Sequence, residues 1–257
     1  MRDLEITDGA AAGDWIESRL GSEVDTVAEQ VPQVYEAYAR VFHPAYDWGL
    51  KPVRWAKVAE AKGTTAHREM QWDALVGRSG WEGQIPLMGV MDFFDLDALC
   101  EILTCHTADP GDCYFGLCTI QGWLDSLPVG YLKPFLRLPD RDYIVLAGPL
   151  AAVGRISRDW SGAGLVRAVF VVPRAEALAQ LAGRNEGSRR EAPNLIWPED
   201  RSWFVASEVD FDSTLVGGSA ELIKAIVESP ALEAWQVEPT DSLAFDADKI
   251  NGARDAC

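Results

Sequence analysis

The chain has 257 residues, 48% of them hydrophobic, enough for a sizeable core in one large domain or two small ones. It carries 23 Lys and Arg against 40 Asp and Glu, a net charge of −17, which repels phosphate backbones and either serves solubility or favours basic partners. No apolar run reaches the ~18 residues of a membrane helix, and the N-terminal MRDLEITDGAAAGDW lacks a basic and then apolar leader pattern.

In chain order, Asp14 to Leu20 reads as a short, loosely attached helix. Tyr35 to His43 alternates and fits a strand ended by Pro44, although a helical reading of the stretch is open. Val53 to Lys62 reads as a helix with Gly63 at its C′ position. His67 to Val76 is a second helix or turn, and Trp81 to Asp92 a long Gly- and Pro-rich loop. Leu96 to His106 is a helix with Leu96, Leu99, Cys100 and Leu103 on one side. Strands follow at Cys113 to Ile120, at Leu132 to Leu136 and, as a buried apolar run, at Tyr143 to Ala147. Pro149 to Val153 is a short helix, and Arg155 to Gly164 a polar loop around Trp160. Val166 to Val172 is a strand, and Pro173 to Leu181 a helix with Pro at its first position. Gly183 to Ala192 is a charged, mobile loop.

Trp203 to Thr214 alternates as one long strand, with Trp203, Val205, Ser207, Val209 and Phe211 on the core face. The other face ends in Glu208, Asp210 and Asp212, an acidic row about 13 Å long. Gly217 and Gly218 suit a turn with positive φ, and Ser219 an N-cap. Leu222, Ile223, Ile226 and Val227 form the apolar stripe of the next helix, which Ser229-Pro230 stops before a short strand from Leu232 to Val237. Strands and helices intermingle without a βαβ rhythm. The expectation is an α+β fold, with one mixed sheet and helices packed mainly on one face. Residues 1–22 read as an extension, 23–239 as one domain, and 240–257 as a flexible tail.

The segment PNLIWPEDRSWFVASEVDFDSTLVGGS resembles the C-terminal signature of a family of uncharacterised actinobacterial proteins, in which PN-x-x-WP-x-DR-x-W runs into an acidic strand and VGGS. YEAYARVFHPA, GTTAHREMQW and RDYIVLAGPL are similar to the same family, so the resemblance spans about Val31 to Val237. It implies no activity, cofactor or site residues. In layout alone the chain is similar to the SUKH-type immunity proteins of bacterial toxin systems.

Cys100, Cys105, Cys113 and Cys118 fall within 19 residues beside His106. Zinc pairs sit two to four residues apart on a turn. Here one pair is five apart on a helix, about 140° around its axis, and the other lies on opposite faces of a strand. These cysteines read as small buried hydrophobes, with no metal and no cofactor expected. The five cysteines of the chain fit a reduced, cytoplasmic setting.

The three histidines, His43, His67 and His106, each lie at an element end, and with Arg40 could form an acid–base or ligand site. The acidic row could take a basic protein or a hard cation, or be a solvated face relieved by a cation such as Arg201. Trp197-Pro198 with Asp200-Arg201 reads as a rigid, ion-paired turn, with Trp197 and Trp203 in the core. Nucleophile elbows, Gly-rich phosphate loops and HExxH are absent, and Gly116 and Gly122 do not make a dinucleotide fingerprint. Two functions are expected from these features. The first is an acidic binding protein, of the kind that inhibits a basic toxin. The alternative is a small-molecule enzyme or ligand-binding protein using a His/Arg/carboxylate pocket.

Overall fold

The structure, a computed structural model, describes residues 4–121, 133–159, 188–190 and 192–252. It is α+β, with helices and a mainly antiparallel sheet of nine strands. The strand expected at Val166 to Val172, the helix at Pro173 to Leu181, Trp160 and most of the loop 183–192 lie outside the described residues. Chain contacts divide the protein into a first unit, residues 1–18 and 103–204, and a second, residues 19–102 and 205–257.

In the first unit, β1 (Glu5–Ile6) leads into α1 (Gly9–Gly13), whose N-cap Asp8 accepts the Ala11 N–H at 3.0 Å. The short helix expected further on is one turn of 3-10 helix at Glu17–Arg19. Trp15 and Ile16 are buried, so this segment is packed rather than loosely attached. In the second unit come α2 (Val27–Gln30), β2 (Ala37–Phe42), the β3 (Ala45–Tyr46) and β4 (Pro52–Val53) hairpin, α3 (Trp55–Lys62) and α4 (Trp72–Val76). Gly63 ends α3 at φ 67°, the left-handed position glycine takes without strain. α5 (Phe93–Cys105) follows the 81–92 loop.

The first unit resumes with β5 (Cys113–Cys118), β6 (Leu136–Leu138) and β7 (Arg141–Gly148). β7 pairs antiparallel with β1, β5 and β6. β8 (Ser157–Asp159) pairs with β9 (Ser188–Arg190). β10 (Leu195–Pro198) lies along β5, with Trp197 opposite Tyr114. Trp197 stacks between Tyr114 and Phe204, at 5.4 and 5.9 Å between centroids, and Trp15 meets Phe204 edge-on at 5.9 Å.

β11 (Phe204–Ala206) is followed by β12 (Ser213–Gly218), α6 (Ala220–Val227) and β13 (Ala234–Val237). In the second unit β2 is flanked by β12 and β13, with Thr214 and Ala234 both opposite Val41. Ser219 caps α6, accepting the Leu222 N–H at 3.2 Å, and Leu222, Ile223 and Ile226 are buried. Gly217 and Gly218 are strand residues, not a turn. Glycine is required at 217 by close approach, because a Cβ there would stand 2.5 Å from the Tyr35 ring. Phe42, Trp55 and Trp72 centre this unit's apolar core.

Two expectations are corrected here. The long strand from Trp203 to Thr214 is broken, because residues 207–212 form a turn in which the Phe211 N–H bonds Glu208 O at 3.1 Å. The segment after Thr240 is packed through Asn251, with Leu243, Ala247, Asp248 and Asn251 buried. Its polar side chains find internal partners, described next.

Candidate functional site

Arg40 lies in the middle of β2, and its side chain is fully buried. Its Nε donates to Ser213 Oγ at 2.9 Å, and Nη1 to the carbonyls of Met70 and Arg68 at 3.3 and 3.4 Å. Nη2 stands 3.6 Å from Asp212 Oδ1, and the guanidinium lies over Phe42, 4.4 Å from its centroid. Burial lowers the Arg40 pKa to about 10, opposed by the Asp212 charge, so the group stays cationic at neutral pH. Burial pushes the Asp212 carboxyl up, with Arg40 pulling it down less.

His43 follows β2 and is also fully buried. Its Nδ1 lies 2.6 Å from Leu87 O. A carbonyl can only accept, so Nδ1 carries the proton. Burial lowers the His43 pKa to about 4, so the neutral ring then accepts at Nε2 from Thr214 Oγ1, 2.8 Å away. Thr214 Oγ1 is in turn 2.5 Å from Ser207 Oγ. Serine, threonine and histidine thus line up as in a nucleophilic relay, but all three are buried. The chain of hydroxyls ties β12 to β2 rather than presenting a nucleophile.

A second polar group joins the 64–71 segment to the C-terminal segment. His67 Nε2 is 2.9 Å from Asp248 Oδ1. Asp248 Oδ2 accepts the Gln71 N–H at 3.3 Å, and Asn251 exchanges bonds of 2.9 Å with the backbone of Thr65. Burial raises the Asp248 carboxyl, but bonds from Asn251 and His67 outweigh it and hold it below the usual range. Arg68 pairs with Asp241 at 3.0 Å.

A third group surrounds the start of α3. Glu233 accepts the N–H groups of Trp55 and Ala56 at 2.5 and 2.7 Å, an N-terminal cap supplied from far along the chain. Burial nevertheless pushes its carboxyl up, against the pull of those two N–H groups. Arg54 makes a two-pronged pair with Asp95 at 2.6 and 2.8 Å.

The site residues expected from sequence therefore separate. Arg40, His43, His67 and Asp212 belong to the second unit, and Arg40 and Asp212 meet directly. His43 and His67 have different partners, and His106 belongs to the first unit. Glu208, Asp210 and Asp212 are not a strand row. Asp210 is exposed at the turn, whereas Asp212 folds back onto Arg40. The compensating cation is thus Arg40, not Arg201. The Arg201 guanidinium lies 5.1 Å above the Trp15 ring in the first unit, at a left-handed φ of 57°. The 198–201 turn is held by the Arg201 N–H on Pro198 O at 3.0 Å and by Asp200 accepting the Ser202 N–H, not by an Asp200–Arg201 ion pair. Trp197 is a core residue.

Cys100, Cys113 and Cys118 are buried and Cys105 is exposed, and burial pushes the Cys113 thiol up to about 12. No cluster of metal-ligating side chains occurs among the described residues. Among those residues, too, no helix is long and apolar enough to cross a membrane.

Sequence reasoning missed Thr214, Glu233 and Asp248, whose partners His43, Trp55 and His67 lie 171, 178 and 181 residues away in the chain, and Ser207, which bonds Thr214 across the turn. Open clefts also lie among the described residues of the second unit. One of about 300 Å³ is lined by Lys62, Asp73, Arg78 and Asn251, and one of about 330 Å³ by Tyr35, Glu36 and Gln236. Neither is lined by Arg40, His43 or His67. Compared with protein-family models, with curated proteins and with solved structures, the chain matches none.

Proposed function

We propose that the protein is an acidic binding protein whose partner is a basic protein, and that it acts as an immunity-type inhibitor of a basic toxin. The observation that carries this reading is the distribution of charge. The chain has a net charge of −17, while its buried cation Arg40 and buried base His43 are occupied by internal partners. The groups on which a His/Arg/carboxylate chemistry would rest thus hold the fold together. Carboxylates such as Asp210 in the turn and Glu82 in the 81–92 loop face solvent. Long-range attraction to a cationic surface suits an inhibitor that must capture its target quickly.

The test is titration of the purified protein against basic proteins encoded beside its gene. Binding whose association rate falls steeply with salt, together with loss of the target's toxicity, is the expected result. Turnover of a small molecule that depends on His67 or on Lys62, with no basic protein bound, would instead establish the enzyme reading.

A further inference from the structure

Large apolar side chains exposed one at a time are ordinary on a protein surface, but a cluster is not. Of the twelve large apolar residues exposed among those described, six lie between positions 48 and 94: Trp48, Leu50, Ile85, Leu87, Met88 and Phe94. Trp48 is 82% exposed and Phe94 65%. These six come from three segments that converge on one strand end. Tyr46 and Gln84 exchange backbone bonds of 2.9 and 2.8 Å, which sets the hairpin carrying Trp48 and Leu50 beside Ile85. His43 bonds the Leu87 carbonyl at 2.6 Å, holding the next part of the loop to the end of β2. Tyr46 donates to Asp92 at 2.5 Å, and Asp92 accepts the Phe94 N–H at 2.8 Å, which brings in the start of α5. The buried His43 and the half-buried Tyr46 and Asp92 therefore hold the segments that carry these apolar side chains in place.

The charges around these side chains are mostly of one sign. In the segments 45–54 and 82–97, Asp95 is buried and pairs with Arg54, which leaves Asp47, Glu82, Asp92 and Asp97 against Lys51. The Gly89 N–H bonds Phe211 O at 2.8 Å, so the turn carrying Glu208 and Asp210 adjoins the same loop. A second copy of the chain would bring like charges together at −17 each, and an anionic lipid surface would be repelled as well. A partner that is apolar at the centre of its contact and basic at its edge matches both features.

We infer that the face formed by Trp48, Leu50, Ile85, Leu87, Met88 and Phe94 is the docking surface for a basic protein that presents apolar side chains within a ring of Lys or Arg. This inference rests on the binding-protein reading above and gives it a location. The 208–212 turn then lies at the edge of the contact and steers association, while the apolar centre sets how long the complex lasts.

The test uses the full chain and a fluorescent synthetic amphipathic helix of leucine and lysine. An analogue with glutamate in place of lysine serves as control. Wild type is expected to bind the lysine helix and not the analogue. Trp48→Ser/Met88→Ser, and independently Phe94→Ser, should each weaken binding about tenfold or more at unchanged thermal stability. Asp47→Asn/Glu82→Gln should weaken it less and flatten its salt dependence. If the lysine helix binds both apolar variants as tightly as wild type, the docking surface lies elsewhere and the binding-protein reading survives. If wild type binds neither helix, both inferences fall. Sedimentation of wild type as a dimer that Trp48→Ser/Met88→Ser dissociates would overturn the proposal by assigning the face to self-association.

Discussion

The two units solve the problem of a stable interior differently. In the first, Trp197 lies between Tyr114 and Phe204, and Trp15 closes on Phe204, so that ring area and stacking hold the strands. In the second, the Arg40 guanidinium, the His43 imidazole and the Glu233 carboxylate occupy buried positions, with Asp212 half-buried against Arg40, beside Phe42, Trp55 and Trp72. An aromatic core tolerates changes of pH and salt around neutrality, because Trp and Phe carry no titratable group and a tyrosine phenol titrates only near pH 10. A core held by Arg40, His43, Asp212 and Glu233 is specified by hydrogen-bond geometry and carries a latent dependence on protonation.

That contrast can be broken most directly by paired truncations. Trp197→Ala and Arg40→Ala are each expected to cost about 3–5 kcal/mol in urea unfolding, the first by opening a cavity and the second by stranding Asp212 and the Met70 carbonyl. Arg40→Lys should recover little, since one ammonium cannot reach Ser213, Met70 and Asp212 as the planar fork does. A loss below about 1 kcal/mol for Arg40→Ala would mean that the charged interior is incidental.

Next in size is the pH response. The folded His43 titrates at about 4, below its ordinary 6.5, so the unfolded chain binds the extra proton between those values. Stability from the neutral imidazole is therefore complete above pH 6.5 and lost as pH falls towards 4, by about 3 kcal/mol. The raised Asp212 and Glu233 carboxyls oppose this trend, because protonation favours their folded forms. The measurement is accordingly a difference: the stability gap between wild type and His43→Gln should shrink by that amount from pH 7 to pH 4. A gap that does not move with pH would show that His43 is not held neutral.

Smaller again is Glu233→Gln. An amide offers one oxygen where the carboxylate offers two, so either Trp55 or Ala56 loses its acceptor, at about 1–2 kcal/mol in thermal or urea unfolding. Smallest is Asp210→Asn, which should change stability by no more than about 0.5 kcal/mol while slowing association with a cationic partner in low salt. An equal association rate at all salt concentrations would take the turn out of the recognition surface.

What was legible in the sequence was local. Ser219 before an apolar stripe marks α6, Gly63 marks the end of α3, and the alternation of Tyr35 to His43 marks β2, because each signal lies within one turn or one strand of the residues that it organises. The long strand misread at 203–214 shows the boundary of that logic. Its alternation is real, but three carboxylates on one strand face repel one another, and a turn at Glu208 to Phe211 lets Asp212 reach Arg40 instead. The partner that decides the matter lies far back in the chain and leaves no local trace. Glu233 capping α3 and Asp248 holding His67 were hidden for the same reason. The polar composition after Thr240 suggested fraying because the polar groups of the 64–71 segment that receive it are not adjacent in sequence.

The position of β2 between β12 and β13 also bears on how the protein is made. Arg40 and Ser213 are 173 residues apart. At synthesis rates of roughly 5–20 residues per second, β2 waits about 10–30 s on the ribosome before either neighbouring strand has been synthesised. During that interval α3 has no Glu233 cap, and an apolar strand with a lone guanidinium has neither edge covered. Most of the first unit, residues 103–204, is encoded in between and can start to fold while the second is still incomplete. The second unit therefore cannot close until residues 205–257, which carry β12, β13 and the Glu233 cap, have been made, and until then the excess of carboxylates favours solubility of the nascent chain.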